Sequence, residues 1–214
     1  VNTVPGPQSL SEDGSLVFSE GNNNHLAITD VDAGSSAVQV ALVVSHGTLT
    51  LATTSDLTFS SGANGQSTMT IQGTVTAINT GLAGMQYAPF PDVNGSDQLS
   101  IATSDLGNTG SGGPLTDTDT VDIPVQAVND SPVNTVAGSQ TLSEDGALVF
   151  SSGNSNPLTI TDVDAGSSAI QVTLGVSHGT LTLATVSGLT FSSGASGQST
   201  MTIQGTVSAI NAGL

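Results

Sequence analysis

The chain has 214 residues and carries 17 acidic residues but neither lysine nor arginine, so its formal net charge is −17. Nucleic acids and anionic lipid surfaces are bound through cationic side chains, so neither is an expected partner of this chain. It contains no cysteine, which excludes disulfides and thiolate metal sites. No apolar run reaches the roughly 18 residues of a membrane-spanning helix, so membrane insertion is not expected either.

The sequence repeats itself with a period of 132 residues. Residues 133–214 align with residues 1–82 without a gap and differ from them at 16 of 82 positions. A period of this length corresponds to a whole domain rather than to one rung of a solenoid. We therefore expect a complete repeat over residues 1–130 and a second copy over residues 131–214 that lacks the closing part of the pattern. We also expect the chain to be an excerpt from a longer tandem array.

Short stretches of alternating apolar and polar residues, separated by small and turn-forming residues, predict β-strands. In chain order, the expected strands are Leu16–Phe18, Leu26–Thr29, Val38–Ser45, Thr48–Ala52, Leu57–Ser60, Thr68–Gln72, Met85–Phe90, Gln98–Thr103 and Thr118–Val128. Val75, Ile78 and Leu82 have helical spacing, so one short helix per repeat is expected. The predicted fold class is all-β, with tandem antiparallel β-sandwich repeats.

The predicted core consists mainly of aliphatic residues, because aromatic residues are few. It comprises Phe18, Ile28, Val40, Leu49, Leu51, Phe59, Met69, Ile71, Leu82, Tyr87, Leu99, Ile101, Val121, Ile123 and Val125.

Several aspartates continue the inward-facing parity of predicted strands. Asp30 and Asp32 follow Leu26 and Ile28 with a spacing of two residues, and Asp117 and Asp119 precede Val121 in the same way. Carboxylates are not expected to remain in an apolar core, so these groups should lie where the strands leave it. Together with Asp105, in a predicted hairpin, they are expected to converge at the N-terminal pole of the repeat. A carboxylate cluster without cationic neighbours favours a hard cation, and Ca²⁺ suits irregular oxygen ligands better than Mg²⁺.

Four segments of the chain resemble the cadherin-like repeats of very large secreted bacterial adhesins of the repeats-in-toxin type. They are Ser11-Glu12-Asp13, the Ile-Thr-Asp-Val-Asp-Ala-Gly segment at 28–34, residues 102–108 (Ala-Thr-Ser-Asp-Leu-Gly-Asn) and the closing residues 128–132 (Val-Asn-Asp-Ser-Pro). The resemblance extends over the full chain. It implies a cadherin-like β-sandwich and an extracellular or cell-surface location, with neighbouring repeats of the same chain as partners. Lateral association of chains in a filament stays open.

The resemblance also implies calcium ligands at the junction between repeats. Carried over to this sequence, one junction site comprises Glu12, Asn129, Asp130, Asp162 and Asp164, and Glu144, the counterpart of Glu12, is included among the candidate ligands. The linker is less acidic than a cadherin linker and the Asp-Arg-Glu motif is missing, so we expect a single ion per junction. The implied function is a structural extender of an adhesin or filament, as in biofilm attachment, stiffened by Ca²⁺.

Two alternatives remain open at this point, and a third is not expected. The aspartates, and Glu12, are also interpreted as turn formers and caps at strand ends. Ser45-His46 recurs as Ser177-His178, but neighbours on a strand point to opposite faces, so catalysis is not expected. Thr48 and Thr50, then Thr68 and Thr70, project from outward faces, which suggests a carbohydrate- or ice-binding module as the alternative function.

Overall fold

The computed structural model describes residues 1–108 and 113–214. The chain forms two compact units, which are Val1–Val128 (unit 1) and Asn129–Leu214 (unit 2).

Unit 1 is a β-sandwich. Its strands, within the described residues, are β1 (Asn2–Thr3), β2 (Leu10–Ser11), β3 (Leu16–Phe18), β4 (Ala27–Ile28), β5 (Val38–Val43), β6 (Gly47–Thr50), β7 (Thr58–Gly62), β8 (Thr68–Gly73), β9 (Met85–Pro89), β10 (Gly95–Ser104) and β11 (Thr116–Gln126). The larger sheet has the order β2-β11-β10-β5-β8-β7, the smaller sheet has the order β3-β9-β6, and β1 pairs with β4. Pairing is antiparallel throughout, except that β2 runs parallel to β11.

The two larger sheets of unit 1 enclose one apolar core. The predicted core residues are buried, except Phe59, which is only partly buried. Phe59 lies on β7, the edge strand of the larger sheet, so one of its flanks is not covered by a neighbouring strand. Residues that the sequence analysis did not include complete the core; they are Leu26, Ala33, Val38, Leu42, Val44, Ile78 and Met85.

The short α-helix α1 (Val75–Leu82) follows β8, as the spacing of its apolar residues predicts. Thr74 caps its N-terminus by accepting a hydrogen bond from the backbone of Ala77. Asn79 ties the helix to β4, because its amide accepts from the Ile28 N–H at 2.8 Å and donates to the Ile28 carbonyl at 2.9 Å. Ile78 and Leu82 are thereby held in the core.

Unit 2 repeats part of this arrangement. Its strands are β12 (Val133–Thr135), β13 (Thr159–Thr161), β14 (Ala169–Gly175), β15 (Thr190–Gly194) and β16 (Thr200–Thr206), and its helix is α2 (Val207–Gly213). The sheets have the order β14-β16-β15 and β12-β13. The buried core is small and consists of Ile160, Met201, Ile203 and Ile210. The all-β class with one short helix per repeat is therefore confirmed in both units.

Identical sequences form strands in unit 1 but not in unit 2. Residues 142–143, 148–150 and 179–182 have the sequences of β2, β3 and β6, yet they do not form strands. In unit 1 these three strands pair with β11 and β9, and unit 2 contains no counterpart of either. Strand formation at these positions is thus decided by the pairing partner rather than by local sequence.

Among the described residues, no helix has the length and hydrophobicity needed to cross a membrane.

Candidate metal-binding residues

Asp30 and Asp162, the first aspartates of the repeated Asp-Val-Asp-Ala-Gly segment, form the same turn in both units. Asp30 Oδ1 accepts hydrogen bonds from the backbone N–H groups of Asp32 and Ala33, at 2.9 and 3.0 Å. Asp162 Oδ1 accepts from Asp164 and Ala165 at 3.1 and 2.9 Å. This is the local side-chain bonding for which aspartate is favoured in turns. The first aspartate therefore shapes the loop through Oδ1, and the loop fixes the position of the second.

The other candidates at the N-terminal pole of unit 1 are held by their own neighbours. Asp117 Oδ2 accepts a hydrogen bond from the backbone N–H of Asn2 at 2.7 Å. Asp105 Oδ1 accepts from the N–H groups of Gly107 and Leu115, both at 2.8 Å. These two bonds hold the pKa of the Asp105 carboxyl below its ordinary value, and the bond from Gly107 has the larger effect. Asp119 lies opposite Ile101 in the ladder between β10 and β11.

The structure does not bring these pole residues together as a three-carboxylate site. Asp30, Asp32 and Asp105 lie in loops next to β5 and β10, and Asp117 and Asp119 lie in the first half of β11. In the described parts of the chain, no three of these five residues offer ligand atoms within 4.8 Å of one another. The parity of these aspartates predicts that they converge at one pole, but no three of their carboxylates lie close enough to share one ion.

Glu12 is the one charged residue of the predicted junction set that unit 1 buries. It is 2% exposed and lies directly after β2, whose parallel partner β11 ends beside it. Oε1 accepts a hydrogen bond from the backbone N–H of Val128 at 2.6 Å, and Oε2 accepts from the side-chain amide of Asn94 at 3.1 Å. The carboxylate therefore binds the last residue of unit 1 directly. Glu144, its counterpart in unit 2, is exposed.

The remaining candidates cluster at the start of unit 2. The backbone N–H of Asp130 donates a short hydrogen bond to Asp164 Oδ2, and the side-chain amide of Asn129 donates to the Asp130 carbonyl at 3.2 Å. Asp164 is also fixed through its own N–H, which donates to Asp162. Asp130, Asp162 and Asp164 are thus connected by a continuous set of hydrogen bonds.

Asp97 is a buried carboxylate that the sequence analysis did not identify. It is 6% exposed, and it accepts hydrogen bonds at 2.8–3.0 Å from the N–H groups of Ser45, His46 and Gln98 and from the Tyr87 hydroxyl. Burial raises the pKa of the Asp97 carboxyl, but the bonds from Ser45, Tyr87, Gln98 and His46 outweigh burial and hold the pKa below its ordinary value. Burial and then the bond to Asp97 raise the pKa of Tyr87. A signal for Asp97 existed in the sequence, since it shares the parity of Leu99 and Ile101.

The residues considered for other functions are placed as follows. Ser45 and His46 lie in the loop after β5, where their backbone amides bind Asp97, and His46 Nδ1 lies 3.7 Å from Asp97 Oδ1. Thr48 and Thr50 lie on β6 of the smaller sheet, whereas Thr68 and Thr70 lie on β8 of the larger sheet. The two threonine pairs therefore do not form one continuous row.

Comparison with protein-family models gives no match, and comparison with curated protein sequences gives none either.

Proposed function

We propose that the chain is a structural extender of a secreted or cell-surface adhesin or filament, in which Ca²⁺ stiffens the junctions between tandem repeats. The observation that carries the proposal is that carboxylates bind the backbone at both ends of the linker, at Val128 and at Asp130. On one side, the buried carboxylate of Glu12 binds the N–H of Val128. On the other side, a carboxylate oxygen of Asp164 binds the N–H of Asp130.

Covalent geometry limits how far apart these two carboxylate anchor points can be. Val128 and Asp130 are separated by one residue, so their Cα atoms lie no more than about 7.5 Å apart, whatever the orientation of the two units. Glu12 and Asp164 each bind one end of this short stretch. The predicted ligand set of Glu12, Asn129, Asp130, Asp162 and Asp164 is thus tethered to three consecutive residues.

The chemistry of this set fits a hard cation. All of its donors are oxygens, four of the five side chains are carboxylates, and the chain has no lysine or arginine to neutralise them. Ca²⁺ accepts six to eight oxygen ligands in irregular geometry, whereas Mg²⁺ requires a near-ideal octahedron. Loop and linker oxygens therefore favour Ca²⁺. Such an ion would supply positive charge at a place where adjacent carboxylates otherwise repel.

The mechanical role follows from repetition and charge. Two copies of one domain follow each other directly in the sequence, and a chain with a net charge of −17 repels itself when no cation is bound. Ions shared across linkers would convert a flexible array into a stiff spacer that holds a binding or anchoring module away from the cell. This role places the protein outside the cell, where free Ca²⁺ is abundant enough for weak extracellular modules.

The test is a pair of measurements on the full chain in calcium and in chelator. Calcium is expected to raise the melting temperature, because an ion that binds only the folded state stabilises it by about 2.7 kcal/mol at 100 times its dissociation constant. Small-angle scattering should also show a narrower distribution of distances between the two units. Identical melting curves and identical scattering in both buffers would contradict the proposal, and Mg²⁺ at the same concentration is the control for general charge screening.

A further inference from the structure

The dipeptide Asn-Gly occurs at two places in the chain, as Asn64-Gly65 and as Asn94-Gly95. Asparagine is a thermolabile residue, because the backbone nitrogen of the following residue can attack its side-chain amide. Glycine in that following position hinders the attack least, since it has no Cβ and a wide backbone freedom. The first dipeptide lies in the loop between β7 and β8, and the second lies where the loop after β9 enters β10. Both belong to unit 1, so their surroundings can be compared within one domain.

At Asn64-Gly65 the fold engages both groups that would have to react. The side-chain carbonyl of Asn64 accepts a hydrogen bond from the backbone N–H of Leu51 at 2.7 Å. The backbone N–H of Gly65 donates to the Leu49 carbonyl at 2.9 Å. The nitrogen that would attack and the amide that would be attacked are thus each held by the chain in and directly after β6. Reaction at this site requires both hydrogen bonds to break first.

The second dipeptide is placed differently. Asn94 and Gly95 are both exposed, and Gly95 has a φ of 109°, which is a conformation that favours glycine. The Asn94 side chain is bound through its amide nitrogen, which donates to Glu12 Oε2 at 3.1 Å. Its carbonyl group is therefore not fixed in the way that Leu51 fixes the carbonyl of Asn64. Asn94 is the more accessible of the two asparagines to attack by the nitrogen that follows it.

The partner of Asn94 makes a reaction at this position consequential. Glu12 is 2% exposed, and its other oxygen, Oε1, accepts the hydrogen bond from the Val128 N–H. Conversion of the Asn94 amide to an acid would replace a hydrogen-bond donor by a carboxylate that faces a buried carboxylate. Like charges at such a distance are destabilising, and the chain has no lysine or arginine to neutralise them.

We propose that Asn94 is a site of spontaneous deamidation, and that its modification loosens the hold of Glu12 on the last residue of unit 1. The backbone nitrogen of Gly95 attacks the Asn94 side-chain carbonyl carbon, a carbon–nitrogen bond forms, and the amide nitrogen leaves as ammonia with the proton from Gly95. Water then opens the cyclic imide at either carbonyl and gives aspartate or isoaspartate. The reaction needs only water, so the Val128 end of unit 1 weakens as the protein ages, whether or not calcium is bound.

The site is tested by incubation of the folded full chain in chelator at mildly alkaline pH, followed by digestion and peptide mass spectrometry. Asn94 should convert at least about tenfold faster than Asn64, because two hydrogen bonds protect Asn64. The control is the same incubation in urea, where the protecting contacts are lost and the two asparagines should convert at similar rates. No conversion at Asn94, or equal rates at both asparagines in the folded chain, would overturn the assignment.

The consequence is tested by thermal unfolding of variants of the full chain in chelator. Asn94→Asp, which mimics the product, should lower the melting temperature of unit 1 by about 5 °C, because it removes the donor to Glu12 and adds a like charge. Asn64→Asp is the matched control, since it makes the same chemical change in the other Asn-Gly dipeptide. A carboxylate at position 64 can still accept from the Leu51 N–H, so this variant should shift the melting temperature by less than about 2 °C.

A double-mutant cycle shows whether the effect passes through Glu12. In the Glu12→Gln background the side chain at position 12 can donate from its amide, so Asn94→Asp should restore the bond with its polarity reversed. We therefore expect Asn94→Asp to lower the melting temperature in the parent chain and to leave it unchanged or raise it in the Glu12→Gln chain. An equal drop in both backgrounds, or no drop in the parent chain, would overturn the proposed effect of the modification on Glu12.

Discussion

Replacement of Glu12 by alanine is the perturbation for which the structure offers the best internal control. Glu12 and Glu144 occur in the same tetrapeptide, Ser-Glu-Asp-Gly, but Glu12 is 2% exposed whereas Glu144 is exposed. The Glu12 carboxylate accepts a 2.6 Å bond from the Val128 N–H and a 3.1 Å bond from the Asn94 amide. Alanine removes both acceptors at once.

The expected loss in unfolding free energy is about 2 kcal/mol. A hydrogen bond to a charged group contributes about 1.5–3 kcal/mol, and the bond to Val128 takes the larger share because Asn94 is exposed and can bind water instead. For a domain of this size, 2 kcal/mol corresponds to a drop of about 8 °C in melting temperature. The assay is thermal and urea unfolding of the full chain in chelator, so that bound calcium does not contribute.

Glu144→Ala is the control, and it should change unfolding free energy by less than about 0.5 kcal/mol, as for other surface substitutions. Glu12→Gln should lie between the two, since the amide oxygen can still accept from Val128 but the charge is gone. If Glu12→Ala and Glu144→Ala had equal effects, the carboxylate of Glu12 would not hold the end of unit 1 at Val128.

Three further predictions concern stability. Asp97→Ala leaves the Tyr87 hydroxyl and three backbone amides without their acceptor and should cost about 3–5 kcal/mol in urea unfolding; a cost below 1 kcal/mol would contradict the contacts described. The pKa of Asp97 in the folded state lies below its ordinary value of 3.8. The stability that the ionised carboxylate contributes is therefore fully present above pH 3.8 and is lost as the pH falls through the folded-state pKa. Asp97→Asn should thus reduce the acid sensitivity of unit 1. Expressed separately, residues 1–130 should melt cooperatively, whereas residues 133–214 should bind a hydrophobic dye. A cooperative melt of the second fragment without dye binding would show that the repeat is framed incorrectly.

Alternation along the chain is sufficient to predict most of unit 1. Leu99 and Ile101 on one parity predict β10, and Val121, Ile123 and Val125 predict β11, with errors of a few residues at the ends. Strands β1 and β2 have two residues each, which is too short for a period to be visible. They form because their partners β4 and β11 are in place, and this is information that no local window contains.

The candidate site also depends on contacts between residues that are distant in the sequence. The turn formed by Asp30 and by Asp162 is local, so it could be expected from the sequence as an alternative to metal binding. The burial of Glu12 is not local, because the bond to Val128 spans 116 positions in the chain and requires the parallel pairing of β2 with β11. Asp97 was missed for a different reason. Its parity with Leu99 places it inside, but a carboxylate is not expected in a core unless its hydrogen-bond donors are known.

Calcium binding at the junction can be measured by calorimetric titration of Ca²⁺ into three forms of the full chain. D162N/D164N removes two charges while the asparagine oxygen can still accept the turn bonds from Asp164 N and Ala165 N. D56N removes one charge at an exposed position with a φ of 60°, a conformation that asparagine tolerates. We expect D162N/D164N to weaken calcium binding by about tenfold or more and D56N to leave it unchanged. Equal affinity and stoichiometry in the parent and in D162N/D164N would contradict calcium binding at the junction and leave Asp162 and Asp164 as turn formers only.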